Sequence, residues 1–272
     1  ATPSGTARDI TLRALDSLAA VDVIAAEDTR VTRRLMELHG IPLAGRQILS
    51  YHDHNGAAQR PKLLAALDAG QSVAYASDAG TPMVADPGFS LVRAAGEAGY
   101  TVTAAPGPSA VLAALTVAGL PSDRFLFAGF PPVAKAARIS FLENLAAATA
   151  TVILFESPRR LHQTLIALAH TFGTECKVVI CRELTKKFEQ VVSGALGDLV
   201  EKYAQHTVKG EVVLVIDRMP DVIADTATLE DALKRAMKTN SVKNAAAEVA
   251  GAFNMPRRDL YQMALRLRDE DK

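Results

Sequence analysis

Short apolar runs alternate along the chain with longer amphipathic stretches, and the change of period marks the elements. Val21-Asp22-Val23-Ile24-Ala25-Ala26, Ile48-Leu49-Ser50-Tyr51, Val73-Ala74-Tyr75-Ala76 and Tyr100-Thr101-Val102-Thr103-Ala104 read as strands. Between them apolar residues recur at helical spacing: Leu12, Leu15 and Leu18, then Leu35 and Leu38 before the stop at Gly40 and Pro42. Ala57 to Leu67, the stretch through Leu91, Val92 and Ala95, and that through Leu112, Leu115 and Val117 complete the set. Such alternation implies a mainly parallel sheet with helices on both faces.

Gly119-Leu120-Pro121-Ser122-Asp123 reads as a domain boundary. Beyond it, strands are expected at Phe125 to Phe130, Thr151 to Phe155, Lys177 to Cys181 and Val212 to Ile216, with a further one within Phe188 to Ser193. Helices over about Lys135 to Ala148, to about His170 and near Leu196 to Tyr203 make this a second α/β unit, with a mixed sheet. Three helical patterns follow, over about Thr228 to Met237, Val242 to Ala250 and Pro256 to Leu267. The expected organisation is an N-terminal α/β domain over 1-121, a second over 122-220 and a helical, helix-turn-helix-like unit over 225-272.

The strands feed loops that carry charge or glycine and proline. Ser77-Asp78-Ala79-Gly80-Thr81-Pro82 is followed by Asp86-Pro87-Gly88, a turn that leaves backbone N–H groups open to a ligand. Its plainer reading is a connector in which Asp86 caps the next helix. Glu27-Asp28-Thr29-Arg30, Pro106-Gly107-Pro108-Ser109-Ala110, Glu156-Ser157-Pro158-Arg159-Arg160 and Arg182-Glu183-Leu184-Thr185-Lys186 also leave strands, at the edge where open α/β sheets bind ligands. Ala1-Thr2-Pro3-Ser4-Gly5 resembles such a loop without a strand before it, so a short N-terminal strand is expected to precede it in the gene product.

Composition narrows the partners. The 272 residues carry a formal net charge of +0, so nucleic acid would have to be met by local basic patches rather than bulk charge. Cys176 and Cys181 lack the number and spacing of a disulfide framework or zinc site, and His52-Asp53-His54 lacks a third ligand, so no metal is expected. With no apolar run near the roughly 20 residues of a membrane helix, the expectation is a soluble cytoplasmic protein that meets no membrane.

Taken in order, these loops and Lys209-Gly210-Glu211 resemble the tetrapyrrole methylase superfamily, and within it the branch that modifies ribosomal RNA. The resemblance spans nearly the whole chain. It implies two α/β domains with S-adenosylmethionine in the cleft between them, a homodimer, and methyl transfer to the ribose 2'-hydroxyl of a cytidine in 16S rRNA of the small subunit. It places the cofactor against Pro3, Asp78, Ala79, Gly80, Val84, Ser109, Ala110, Glu156 and Leu184. Gly5-Thr6-Ala7-Arg8 departs from the usual Gly-Asn-Leu-Gly.

A ribose hydroxyl attacks a sulfonium methyl more readily once a base has begun to take its proton. Glu27, Asp28, Glu156, Lys209 and Glu211 stand at strand ends, with Asp28 and Lys209 preferred; alternatively these charges pair with one another, or with Arg30 and Arg182, to hold the loops. Arg30, Arg33, Arg34, Arg159, Lys186, Arg257 and Arg258 are the cations expected to meet RNA phosphates. Methylation of a tetrapyrrole ring carbon and a non-catalytic cofactor-binding module are the competing readings.

Overall fold

The computed structural model describes residues 1–206, 208–218, 226–253 and 257–270. It divides into one unit of Ala1–Ala146 with Ala150–Asp217 and a second of Arg218–Lys272 with Ala147–Thr149.

The first unit opens with a 3-10 turn, Ala7–Asp9, and runs α1 (Leu12–Ala20), β1 (Val23–Ala26), α2 (Thr29–Leu38), β2 (Gln47–Ser50), α3 (Gly56–Asp68), β3 (Val73–Ala76), α4 (Phe89–Glu97) and α5 (Ala110–Ala118). Thr11 caps α1 by accepting from Ala14 N–H, and Asp28 caps α2 by accepting from Arg30 N–H. The three strands form a parallel sheet in the order β2-β1-β3. Central β1 is buried along its whole length, which is why it reads as an unbroken apolar run.

The unit continues through β4 (Phe125–Phe127), α6 (Lys135–Ala146), β5 (Thr151–Glu156), α7 (Leu161–Phe172), β6 (Lys177–Arg182), β7 (Gln190–Ala195), α8 (Leu196–Tyr203) and β8 (Val212–Ile216). Their sheet has the order β4-β5-β8-β6-β7, with β4 parallel to β5 and every other pair antiparallel, so it is mixed as the pattern implied. One core lies between this sheet and α5, where Val111, Ala114 and Ala118 meet Ile153, Val179, Val213 and Val215. α5 precedes the expected boundary at 121 yet covers the sheet that follows it.

Tyr100 to Ala104 does not form a strand. Its β-branched residues favour extension, but a strand also needs a neighbour's N–H and C=O groups, and no described segment pairs with it. Thr101 to Ala104 are exposed, and the run ends where Ala105 accepts a hydrogen bond from the Ala1 amino group at 3.0 Å.

In the second unit α9 (Thr226–Met237), α10 (Val242–Ala252) and α11 (Arg257–Glu270) pack around Leu229, Leu233, Ala245, Val249, Leu260 and Leu267. Ser241 caps α10 through Asn244 N–H. The expected start near Asp225 and the expected helix opening at Pro256 lie outside the described residues.

Candidate active site

Parallel pairing puts the carboxyl ends of β1 and β3 on one edge of their sheet, and the loops after β5 and β6 leave the mixed sheet likewise. β8 runs antiparallel to β5 and β6, with Val212 opposite both Glu156 and Arg182, so Gly210 and Glu211 arrive at the same edge. One strand entered from the opposite direction thus adds a further segment to the site.

The β3–α4 loop is clasped by the chain start. Thr2 and Gly80 exchange N–H···O bonds of 2.8 Å in both directions, and the Thr2 hydroxyl donates to the Ser77 carbonyl at 2.9 Å. The Thr81 hydroxyl donates to the Pro108 carbonyl at 2.9 Å, tying this loop to the one before α5. Across the site, Gly5 approaches Thr185 so closely that an added Cβ would sit 2.4 Å from the Thr185 hydroxyl oxygen. Only glycine permits that approach.

Two loops share a strained backbone. Met83 (φ 68°) and Ala85 (φ 61°) flank Val84, while Glu183 (φ 51°) and Thr185 (φ 62°) flank Leu184. Left-handed conformations cost about 1–2 kcal/mol each in non-glycine residues, and such strain concentrates at functional sites. Nothing in the residue types announces it.

The charges divide into engaged and less engaged groups. Asp28 accepts from Arg30 Nε at 3.0 Å and from Arg30 N–H at 2.8 Å, and the Arg30 side chain above all holds its carboxyl down at about 2. Asp28 N–H in turn donates to Asp78 Oδ1 at 2.9 Å, and Asp78 N–H donates to Glu27 Oε2 at 3.1 Å. The Glu156 side chain, fully buried, accepts from Ser157 N–H at 2.6 Å, from the Thr164 hydroxyl and from Arg160 Nη2 at 2.7 Å. Lys186 Nζ bridges Glu183 at 3.2 Å and Glu211 at 2.8 Å. Asp86 differs from all of these: burial first, then the Glu27 and Asp78 carboxylates, push its carboxyl up to about 7.

These loops enclose a cavity of about 420 Å³, within the roughly 300–1,000 Å³ usual for small-molecule sites. Val84, Phe130, Phe155, Leu184 and Val213 supply its apolar walls; Asp86, Glu156 and Glu211 are its acidic groups. Among the described residues that line it there is no Lys, Arg or His.

Residues 1–200 match the family described as Tetrapyrrole (Corrin/Porphyrin) Methylases. The chain belongs to the tetrapyrrole methylase family. Residues 223–268 match the RsmI C-terminal HTH domain. A curated relative from Mesorhizobium japonicum, named Ribosomal RNA small subunit methyltransferase I, is 48% identical over 99% of this chain and 91% of its own. One of the same name from Escherichia coli O157:H7 is 40% identical over 97% of this chain and 92% of its own. The solved uroporphyrin-III-C-methyltransferase from Thermus thermophilus shares the fold, with a TM-score of 0.57 at 21% identity over 81% of this chain and 93% of that one.

In this tetrapyrrole methylase, Ala79, Gly80, Val84, Ser109, Ala110, Glu156 and Leu184 line the cavity. Pro3 and Asp78 are not among the lining residues; their neighbours Ser4 and Ala79 are, and Asp78 is instead occupied with Asp28 N–H. Asp28, preferred as a base, caps a helix and holds Arg30; a carboxylate at about 2 is a poor proton acceptor at neutral pH. Lys209 is exposed beside Gly210 and Glu211. Arg30, Arg33, Arg34 and Arg159 are exposed on the first unit, and Arg257 and Arg258 on the second, whereas Lys186 is committed to its two carboxylates. Ser4, Phe130, Phe155, Cys181 and Val213 line the cavity without having been singled out as site residues. Their only signal was position at a strand end or in the first loop.

Proposed function

We propose that this chain transfers the methyl group of S-adenosylmethionine to the ribose 2'-hydroxyl of a cytidine in 16S rRNA within the small ribosomal subunit, in the cytoplasm. The observation that carries the reading is that relatives matching 97% and 99% of the chain are named Ribosomal RNA small subunit methyltransferase I. The cavity's chemistry supports the donor. An apolar, acidic lining without basic side chains suits a sulfonium cation and disfavours a phosphate-bearing nucleotide. Ala79, Gly80, Val84, Ser109, Ala110 and Leu184 would hold the cofactor, which supplies a methyl group already activated for displacement. The residues around it have the task of fixing the angle and distance of the incoming hydroxyl and of excluding water.

The exposed arginines of each unit support phosphate contacts. We read the organisation as the two α/β domains meeting at residue 121/122 and the helical unit from 225. Leu112, Val117, Phe125 and Leu126, exposed apolar residues of the first unit, support burial against a second copy of the chain.

Unmodified small subunits, the purified chain and methyl-labelled donor test the whole reading. Label is expected in 16S rRNA, recovered as an alkali-stable dinucleotide because a 2'-O-methyl group blocks cleavage of the next phosphodiester. The double variant R257A/R258A is expected to lower the slope of log affinity against log salt by about 1.5. Label absent from rRNA, or entering a porphyrinogen instead, overturns the proposal.

A further inference from the structure

The cavity holds three carboxylates, and their surroundings assign them unequal work. Glu156 is saturated by Arg160, Thr164 and Ser157 N–H. Glu211 is paired with Lys186. Among the described residues Asp86 has neither arrangement. It is half-buried in the cavity wall on the β3–α4 loop, behind the strained Ala85 and ahead of Gly88. Gly88 (φ 127°) lies so close on the Tyr75 ring that an added Cβ would stand 2.9 Å from it, so the loop packs directly on β3. The buried Tyr75 hydroxyl has no hydrogen-bond partner among the described residues, and the burial of the Tyr75 phenol, together with the neighbouring Glu27 and Asp86 charges, keeps it protonated.

We propose that Asp86 is the proton acceptor for the attacking hydroxyl, an inference that rests on the methyl-transfer reading above. As the oxygen–carbon bond to the methyl group forms, the hydroxyl proton passes to an Asp86 carboxylate oxygen. The methyl–sulfur bond breaks, its electron pair leaves with the neutral thioether, and the Asp86 acid later returns the proton to solvent. The groups coupled to Asp86 are acidic or neutral: Glu27 after β1, and Tyr75 and Asp78 on and after β3; Glu156 after β5 and Glu211 before β8 share the cavity lining, each held by a cation. Burial, then Glu27 and Asp78, raise the proton affinity of Asp86, and a carboxyl at about 7 is matched to accepting a proton near neutral pH, where one at about 2, such as Asp28, is not.

The test is Asp86→Asn, close in shape and unable to take the proton. Single-turnover methylation of unmodified small subunits, measured at saturating donor, is expected to fall about 100-fold or more. The wild-type rate should rise with pH and level off above about 7, and the variant should lose that inflection. A readout independent of activity comes from thermal unfolding of the unliganded chain. Because the folded carboxyl lies above its unfolded value, stability is full below about 4 and is lost as pH rises towards about 7. Asp86→Asn should therefore melt above wild type at pH 8 and lose that advantage at pH 4. An active variant with the wild-type pH profile sinks the role of Asp86 alone. A folded, donor-binding wild type that labels no rRNA sinks the underlying function, and this proposal with it.

Discussion

Removing Arg160 tests how the floor of the cavity is held. Glu156 carries a fully buried side chain with three donors, of which only Arg160 brings a countercharge. Arg160→Met leaves that charge with two neutral donors and also strips the Pro131 carbonyl of the Arg160 Nη1 bond at 3.1 Å. Leaving a buried charge unpaired costs about 3–5 kcal/mol; the two remaining donors place this case at the lower end, about 3 kcal/mol. Glu156→Gln keeps acceptors for Ser157 N–H and the Thr164 hydroxyl, and Arg160, 20% exposed, can turn its free end to water. Its cost should be about 1 kcal/mol. Urea unfolding followed by far-ultraviolet circular dichroism reads the difference. At a slope of about 2 kcal/mol per molar urea, Arg160→Met lowers the midpoint by about 1.5 M and Glu156→Gln by about 0.5 M. The double variant should be more stable than Arg160→Met alone, because it removes the stranded charge. A double variant less stable than Arg160→Met, or two equal single variants, would refute the reasoning.

Asp28→Asn should flatten the acid limb of the stability curve. A carboxyl held at about 2 contributes stability above its unfolded value near 4 and loses it as pH falls through about 2, so melting temperatures of variant and wild type should converge in acid. Tyr75→Phe deletes a buried hydroxyl with no partner among the described residues and should leave stability unchanged or raise it by about 1 kcal/mol, checked by the same urea titration; a loss of more than that would place a bound water or ligand on the hydroxyl.

The loops of the site were legible because glycine, proline and charge follow the apolar strands at their carboxyl ends, the edge where open α/β sheets bind ligands. Val84 and Leu184 could be named from the resemblance, but the left-handed residues on either side of each could not, since Met, Ala, Glu and Thr carry no preference for that conformation. Tyr100 to Ala104 failed as a strand for the opposite reason: its propensity was local, and the partner that a strand requires is not.

The carboxylates separate the two kinds of information most clearly. Their positions at strand ends followed from the order of the residues, as did the alternation of elements, the parallel sheet, the mixed sheet and the helical unit, because periodicity and turn chemistry are local properties of the chain. Which carboxylate is neutralised by a cation and which is left among other acids was decided by packing. Arg30 reaches Asp28 within one helical turn, and Lys186 reaches Glu211 only because β8 runs against β6. Asp86, which a local reading makes a helix cap, lies three residues before α4 and meets Glu27 and Asp78 through the pairing of β1 with β3. Proton affinity depends on burial and on charges distant in sequence, and only the folded chain supplies both.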